Sequence, residues 1–386
     1  MRRGLWQTGT LFHLTQILLL SASGFRPATI TKVPPTLHLD ASEPANIDQA
    51  AAILRAGGTV AFATETVYGL GANALSPTAI AKIFEAKQRP SWDPLIVHLA
   101  SADDLATIAT IPADLAPRIA TLAKAFWPGP LTLLLPRNSQ IPDAITAGRS
   151  LVGVRVPSHP AAQALLRAAA LPIAAPSANT FGHTSPTTAQ HVLDDLDGRI
   201  DAVLDAGPTT VGLESTVLDP TQTPMVVYRP GAVTPGQLAV AVGVPVRTYG
   251  SAVRHPFPAS LPSPGVGIRH YAPHATLVLT GPTPDELWDR ATDQLFAQMP
   301  DQPRTPRLGV LLPTGWPRLG DVTVFDWGSW DDPATLAVRL FTGIRSLDDQ
   351  AVNVILCPLP PPGGLADAIR DRLQKAARPK PLKPEI

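Results

Sequence analysis

From Asp48 towards the C-terminus, short apolar runs alternate with stretches of helical spacing, and one segment at 233–274, rich in proline, glycine and serine, breaks the alternation. Such alternation puts helices on the faces of a sheet, so it predicts α/β architecture on both sides of the break. Before the break, "GTVAFAT" (58–64), "PLIVHLA", "SLVGVRVP" and "LPIAAP" read as strands. "TAIAKIFEAK" and "HPAAQALLRAAA" read as helices, and "DAVLDAG", "ESTVLD" and "MVVYRPG" as short closing strands. The expectation over 42–232 is one α/β domain with a mixed, twisted sheet. After the break, four strands ("ATLVLTG", "RLGVLLP", "DVTVFDW", "AVNVILCPL") alternate with three helices, predicting a smaller, Rossmann-like parallel α/β domain at 275–377. The break itself reads as an extended linker, because Pro256, Pro258, Pro262 and Pro264 cannot continue a helix or a central strand. Its end, "IRHYAPHA", carries too many functional side chains for a spacer.

Of the 386 residues 45% are hydrophobic, which supplies cores for two domains. Formal net charge is zero, which argues against a broad basic surface for tight nucleic-acid binding. A weak, transient tRNA contact stays open. The single cysteine, Cys357, excludes an intrachain disulfide framework and a multi-cysteine metal site, and suits a reducing compartment. It sits in an apolar strand and reads as core. Residues 1–41 read as a poorly ordered extension, and 378–386 as a tail. "MRRGLWQTGTLFHLTQILLLSASG" imitates a signal peptide, but His13, Thr15 and Gln16 interrupt its apolar stretch, which is too short to span a bilayer. The expected location is cytoplasmic, with no membrane partner.

"GLGANA" (69–74) matches the dinucleotide fingerprint G-x-G-x-x-A, and Asp93 follows at a suitable distance. Its glycines do not directly follow the predicted strand or open the helix, so a glycine-bearing turn beside a site is the better reading. In "TETVYGLG" an extended segment would put Thr64, Thr66 and Tyr68 on one face, suited to a small polar ligand. In "AKQRPSWDPLIVHL" Lys87 suits a helix C-terminus, but Arg89 two residues on makes a clamp for neighbouring phosphates plausible. His98 falls in an apolar strand, where a satisfied core histidine competes with a ligand role. Arg155 lies in a half-buried strand and needs either solvent or an anion. Ser177, Asn179 and Ser185 lie on a loop leading into a helix whose first turn includes Pro186, a phosphate-binding geometry. Arg229 ends an apolar strand, and Tyr271 offers a ring face and a hydroxyl. A serine-protease-type arrangement and a phosphate-binding P-loop are both missing from the chain. Cations and hydroxyls gather without an evident nucleophile, which suits phosphate binding and charge stabilisation.

In order along the chain, "TETVYGLGANA", "KQRPSWDPLIVH", "WPGPLTLLL", "GVRVPSHP", "PSANTFGHTSPTT", "ESTVLD" and "YRPGAVTP" resemble the threonylcarbamoyl-AMP synthase family. "SPGVGIRHYAPHA" and the C-terminal region resemble its long, two-domain form, a YrdC-like domain plus an appended α/β domain. The resemblance implies formation of threonylcarbamoyl-AMP and pyrophosphate from L-threonine, bicarbonate and ATP, with Mg2+. A separate threonylcarbamoyl transferase complex would then use the product to modify tRNA beside the anticodon. It implies that Thr66, His98, Arg155 and Ser215 hold threonine. It assigns Arg89, Asp93, Leu151, Ala175, Ser177, Asn179, Ser185, Arg229 and Tyr271 to ATP, and Lys87 with Arg89 to catalysis. No protein metal ligand is assigned. Asp93 stands where asparagine is common in the family, and Leu151 where threonine is. Two rival readings are a non-catalytic module for double-stranded RNA or tRNA, and a relative that uses carbamoyl phosphate.

Overall fold

The computed structural model describes residues 35–250, 260–266, 270–297, 307–318, 320 and 322–379. Most of the expected N-terminal extension, Pro256 and Pro258 of the linker, and the tail from 380 on lie outside the described residues.

The first part of the chain folds as β1 (Leu37–Asp40), α1 (Pro44–Arg55), β2 (Val60–Ala63), β3 (Tyr68–Asn73), α2 (Pro77–Lys87), β4 (Ile96–His98), α3 (Ala116–Phe126), β5 (Leu131–Pro136), α4 (Asp143–Thr146), β6 (Leu151–Arg155), α5 (Pro160–Ala169), β7 (Ile173–Ala174), α6 (Ala189–Leu196), β8 (Ala202–Asp205), β9 (Thr216–Asp219), β10 (Met225–Arg229), α7 (Pro235–Val242) and β11 (Val246–Thr248). The strands form one mixed sheet of eleven in the order β1-β8-β2-β3-β7-β4-β6-β5-β9-β10-β11. The second part is β12 (Thr276–Thr280), α8 (Pro284–Ala297), β13 (Leu308–Pro313), β14 (Thr323–Gly328), α9 (Pro333–Asp349), β15 (Val354–Pro358) and α10 (Ala366–Ala376). Its four strands are all parallel, in the order β12-β15-β13-β14. A mixed sheet with a second, parallel α/β unit is the architecture that the alternation implies. Cys357 is buried in β15 as expected, and burial raises its thiol well above the ordinary value.

Four sequence expectations are corrected. Leu37–Asp40, assigned to the disordered extension, instead form an edge strand in parallel register with β8. The segment 233–250, assigned to the linker, holds α7 and β11, and β11 pairs with β10. Gly69 and Gly71 belong to strand β3 and make no turn. A Cβ at Gly71 would stand 2.9 Å from side-chain atoms of both Ile173 and Phe62, so glycine there admits close strand packing. Lastly, α6 starts at Ala189, capped by Thr188, and not near Pro186. Residues 185–187 instead lie against β3, where the Tyr68 N–H donates to the Pro186 carbonyl at 2.9 Å.

Ser76 caps α2 as its sequence indicates, accepting from the Ala79 N–H at 3.3 Å. Gln88 then takes a left-handed conformation (φ 53°) and turns the chain, which sends Arg89 inward. One face of β4 and β6 carries Val97 and Val154 into the main core. The other face carries His98 and Arg155. Val67 and Leu213 of the first part join the apolar core of the second part, so the two share packing. Among the described residues, no helix is long and apolar enough to cross a membrane.

Candidate active site

In the parallel register of β4 and β6, Ile96 stands opposite Gly153 and His98 opposite Arg155. Side chains alternate across a sheet, so these positions form the floor of a cleft on the face away from Val97. Gly153 contributes no side chain to that floor. The cleft is open at its mouth, and its free space, counting that open part, is about 560 Å³. Its lining includes Thr64, Thr66, Gly69, Arg89, Pro94, Ile96, His98, Arg155, Ala175, Ser177, Glu214, Ser215, Arg229, Pro264, Gly265, His270 and Tyr271. Nine of the fourteen residues expected from sequence line this cleft, and the other five, Lys87, Asp93, Leu151, Asn179 and Ser185, do not.

Arg155 anchors one end. Its guanidinium donates to the Gly129 carbonyl at 3.2 Å and to Thr66 Oγ1 at 2.8 Å, and pairs with Glu65 at 2.7 Å. Thr64 and Thr66 share a hydroxyl–hydroxyl bond of 2.8 Å. Burial opposes charge on Glu65, but Arg155 outweighs it and holds the carboxyl below its ordinary value. Beside Arg155, His98 is buried, and burial together with the arginine's charge pushes its pKa down to about 3. The imidazole is therefore neutral, and its buried Nδ1 has no protein partner. Tyr68, expected on the same face as the two threonines, turns away: its hydroxyl donates to the Gly207 carbonyl at 2.7 Å.

Arg229 on β10 crosses back over the start of β9. It donates through Nε to the Ser215 carbonyl at 3.0 Å and through Nη2 to Ser215 Oγ at 3.1 Å. Ser215 Oγ also bonds Thr132 Oγ1 at 2.8 Å. Arg89 donates to the Asp93 and Pro94 carbonyls and pairs with the Asp93 carboxylate at 2.9 Å. Ala175 and Ser177 edge the cleft on the loop after β7, where Gly69 and Ser177 form a bridge. Tyr271 closes the cleft from the linker with its hydroxyl beside Gly265.

Lys87, Asn179, Ser185 and Leu151 are not among the lining residues. The buried Lys87 ammonium donates to the Ser177 and Asn179 carbonyls, and burial, followed by the charge of Arg89, pushes its pKa well down. Asn179 donates to the Thr180 and His183 carbonyls, so both residues shape the loop that presents Ser177. Ser185 donates to Glu214 instead of capping a helix. Leu151 shares the face of Gly153 and Arg155 and packs with Ile96, Leu134 and Val217 beside the floor. Asp93 likewise stands behind Arg89, and burial raises its carboxyl despite that neighbour.

Sequence reasoning passed over Glu65, Thr132 and Glu214. The two glutamates carried a signal: a carboxylate inside an otherwise apolar and hydroxyl-bearing run is rarely buried without a paired cation. Thr132 offered none beyond its neighbours.

Residues 52–231 match a family described as "Telomere recombination", and residues 233–378 match "Threonylcarbamoyl-AMP synthase, C-terminal domain". The threonylcarbamoyl-AMP synthase of Pyrococcus abyssi is 40% identical over 331 residues, covering 85% of this chain and 93% of the relative. That of Bacillus subtilis is 41% identical over 349 residues, covering 89% of this chain and 96% of the relative. The chain belongs to the threonylcarbamoyl-AMP synthase family. A solved structure described as P. abyssi Sua5 complexed with L-threonine aligns with TM-score 0.78 and 39% identity, covering 89% of this chain and 97% of that one. A solved variant of the same P. abyssi protein aligns with TM-score 0.79 and 38% identity. Family and fold thus agree across both halves of the molecule, and the cleft lies where the two meet.

Proposed function

We propose that this protein is an L-threonylcarbamoyladenylate synthase, a nucleotidyl-transferring enzyme that joins L-threonine, bicarbonate and ATP and releases pyrophosphate. One observation carries the reading: Arg89, Arg155 and Arg229 enter one cleft with Thr66, Ser177 and Ser215, beside a neutral imidazole. Two repelling anions can meet there, with guanidinium and hydroxyl donors aimed at both.

Arg155, with Thr66, His98 and Ser215 around it, receives the threonine. The guanidinium takes the carboxylate through the Nη N–H groups that Thr66 and Glu65 leave over, since Glu65 and Gly129 fix its plane. Neutral His98 accepts or donates without adding charge near the amine. The amine reacts with bicarbonate, losing water, to give an N-carboxylate. That carboxylate attacks the α-phosphorus of ATP, forming the mixed anhydride as pyrophosphate leaves in line. Arg89, Arg229 and Ser177 hold the polyphosphate, with Ala175 and Tyr271 against the nucleoside. Lys87 acts through the Ser177–Asn179 loop it organises.

The donor set fits a Mg2+ ion carried on the nucleotide. Glu214 is the carboxylate in the lining, and it is already engaged by Ser185 and Arg372. Among the described residues no group of three or more His, Cys, Asp or Glu is placed to hold a metal ion. Such an ion would neutralise charge on a polyphosphate held by Arg89, Arg229 and Ser177. The product serves a separate threonylcarbamoyl transferase complex acting on tRNA, which fits a cytoplasmic location.

The test is pyrophosphate release from ATP. It requires both threonine and bicarbonate under this reading. Phosphate release from carbamoyl phosphate, or RNA binding without turnover, would replace it with one of the rival readings.

A further inference from the structure

Glu214 poses an electrostatic problem for a site that takes polyphosphate. Its carboxylate is buried and lines the cleft. An ionised carboxylate there would repel the nucleotide unless something cancels its charge. The cancelling charge comes from the second part of the molecule. Arg372 on α10 donates through Nε to Glu214 Oε2 at 2.7 Å and through Nη2 to the Glu214 carbonyl at 3.3 Å. Its Nη1 donates to the Pro230 carbonyl at 3.0 Å, so one guanidinium grips both the residue before Ser215 and the residue after Arg229. The same guanidinium lies 5.2 Å from the centre of the Tyr271 ring. Glu214 in turn accepts the Ser185 hydroxyl.

We propose that Arg372 is a positioning residue for the nucleotide: it cancels the charge of Glu214 and thereby lets a polyphosphate settle against Arg89 and Arg229. The assignment rests on the function proposed above. It gives the C-terminal domain a part in the reaction that packing alone does not. The groups facing Glu214 are Arg372, with Asp371 at its back, Arg229 from β10, Tyr271 from the linker and the Ser185 hydroxyl. Burial works to raise the Glu214 carboxyl, but Arg372 first and Arg229 second hold it below its ordinary value, so it is ionised in the native site.

The test compares steady-state kinetics of wild type, Arg372→Met, Glu214→Gln and the double variant. Wild-type pyrophosphate release, dependent on threonine and bicarbonate, is established first. A silent wild type removes the proposed function, whereas the comparisons below bear only on Arg372. Arg372→Met should raise the KM for ATP at least about tenfold. The KM for threonine should stay within about twofold, because Arg155 has its own partners. That defect should shrink as pH falls from about 8 to about 6, since Glu214 without its cation takes up a proton more readily. Adding Glu214→Gln should restore most of the ATP KM. An Arg372→Met defect that spreads equally over both substrates, ignores pH and survives Glu214→Gln would overturn the proposal, leaving only a domain contact. If Arg372→Met alone fails to fold, the double variant is compared with Glu214→Gln. Equal KM values for ATP support charge cancellation, and a difference beyond about threefold contradicts it.

Discussion

His98 on β4 stands directly opposite Arg155 on β6, and both line the same cleft. The strands run parallel, so the two side chains leave the same face at the same level. Arg155 pairs with Glu65 at 2.7 Å, and His98 is kept neutral by burial and by that arginine's charge.

Replacing Arg155 with lysine tests this division. Lysine keeps the charge but cannot bond Gly129, Thr66, Glu65 and a ligand carboxylate together. The KM for threonine should rise at least about tenfold, with the KM for ATP within about twofold. Steady-state kinetics with each substrate varied in turn will show it. An equal loss for both substrates would contradict the assignment.

The linker contact makes a second prediction. Gly265 has φ +74°, and a Cβ there would fall 2.6 Å from Tyr271 Oη. Gly265→Ala should displace Tyr271 from the cleft and weaken ATP binding several-fold, with little change in threonine binding. Tyr271→Ala should act in the same direction. Calorimetric titration with a non-hydrolysable ATP analogue measures both, and unchanged affinity in both variants would refute the closing role of Tyr271.

Shared packing between the two parts makes a third. Gly212 has φ +75°, and a Cβ would lie 2.5 Å from Val338 Cα and 2.6 Å from the Ala337 carbonyl oxygen. The neighbours are backbone on α9 and cannot swing aside. Gly212→Ala should cost about 2–4 kcal/mol in chemical denaturation, combining left-handed strain with overpacking. A loss below about 1 kcal/mol would mean that the interface yields easily.

Acid stability gives a fourth. His98 and His191 are held neutral, chiefly by burial, at about 3 and about 4 against an ordinary value of 6.5. The unfolded chain takes up protons at these sites before the native chain does, so stability rises with pH in that window and falls as pH drops below about 6.5. Each histidine contributes up to about 1.4 kcal/mol per pH unit over its own interval. Denaturation curves from pH 7 to pH 5 should show this slope, and His98→Asn should flatten it. An unchanged slope in that variant would contradict a neutral buried His98.

Much of this was legible in the sequence. Period-two and helical patterns marked most strands and helices, and they gave the break between the two α/β parts. Arg89, Arg155, Ser177, Ser215, Arg229 and Tyr271 do line one cleft. What the pattern misplaced depended on tertiary choices between locally equivalent options. Ser185 and Thr188 are both good caps, and Thr188 takes the role because Ser185 is drawn to Glu214. Lys87 reads as a phosphate ligand or a helix-end charge, yet two loop carbonyls claim it. Gly69 and Gly71 read as a turn until Ala175 is packed against the first and Ile173 and Phe62 against the second. The Arg372–Glu214 contact spans 158 residues of sequence and two domains, so no local spacing announces it.

The central claim is that mutually repelling anions are brought together here for adenylation. Mass spectrometry of products from ATP, L-threonine and 13C-bicarbonate tests it most directly. The account predicts a threonylcarbamoyl-adenylate carrying the 13C label, formed together with pyrophosphate and absent when threonine is left out. An unlabelled adenylate, phosphate in place of pyrophosphate, or no threonine-dependent product would contradict it.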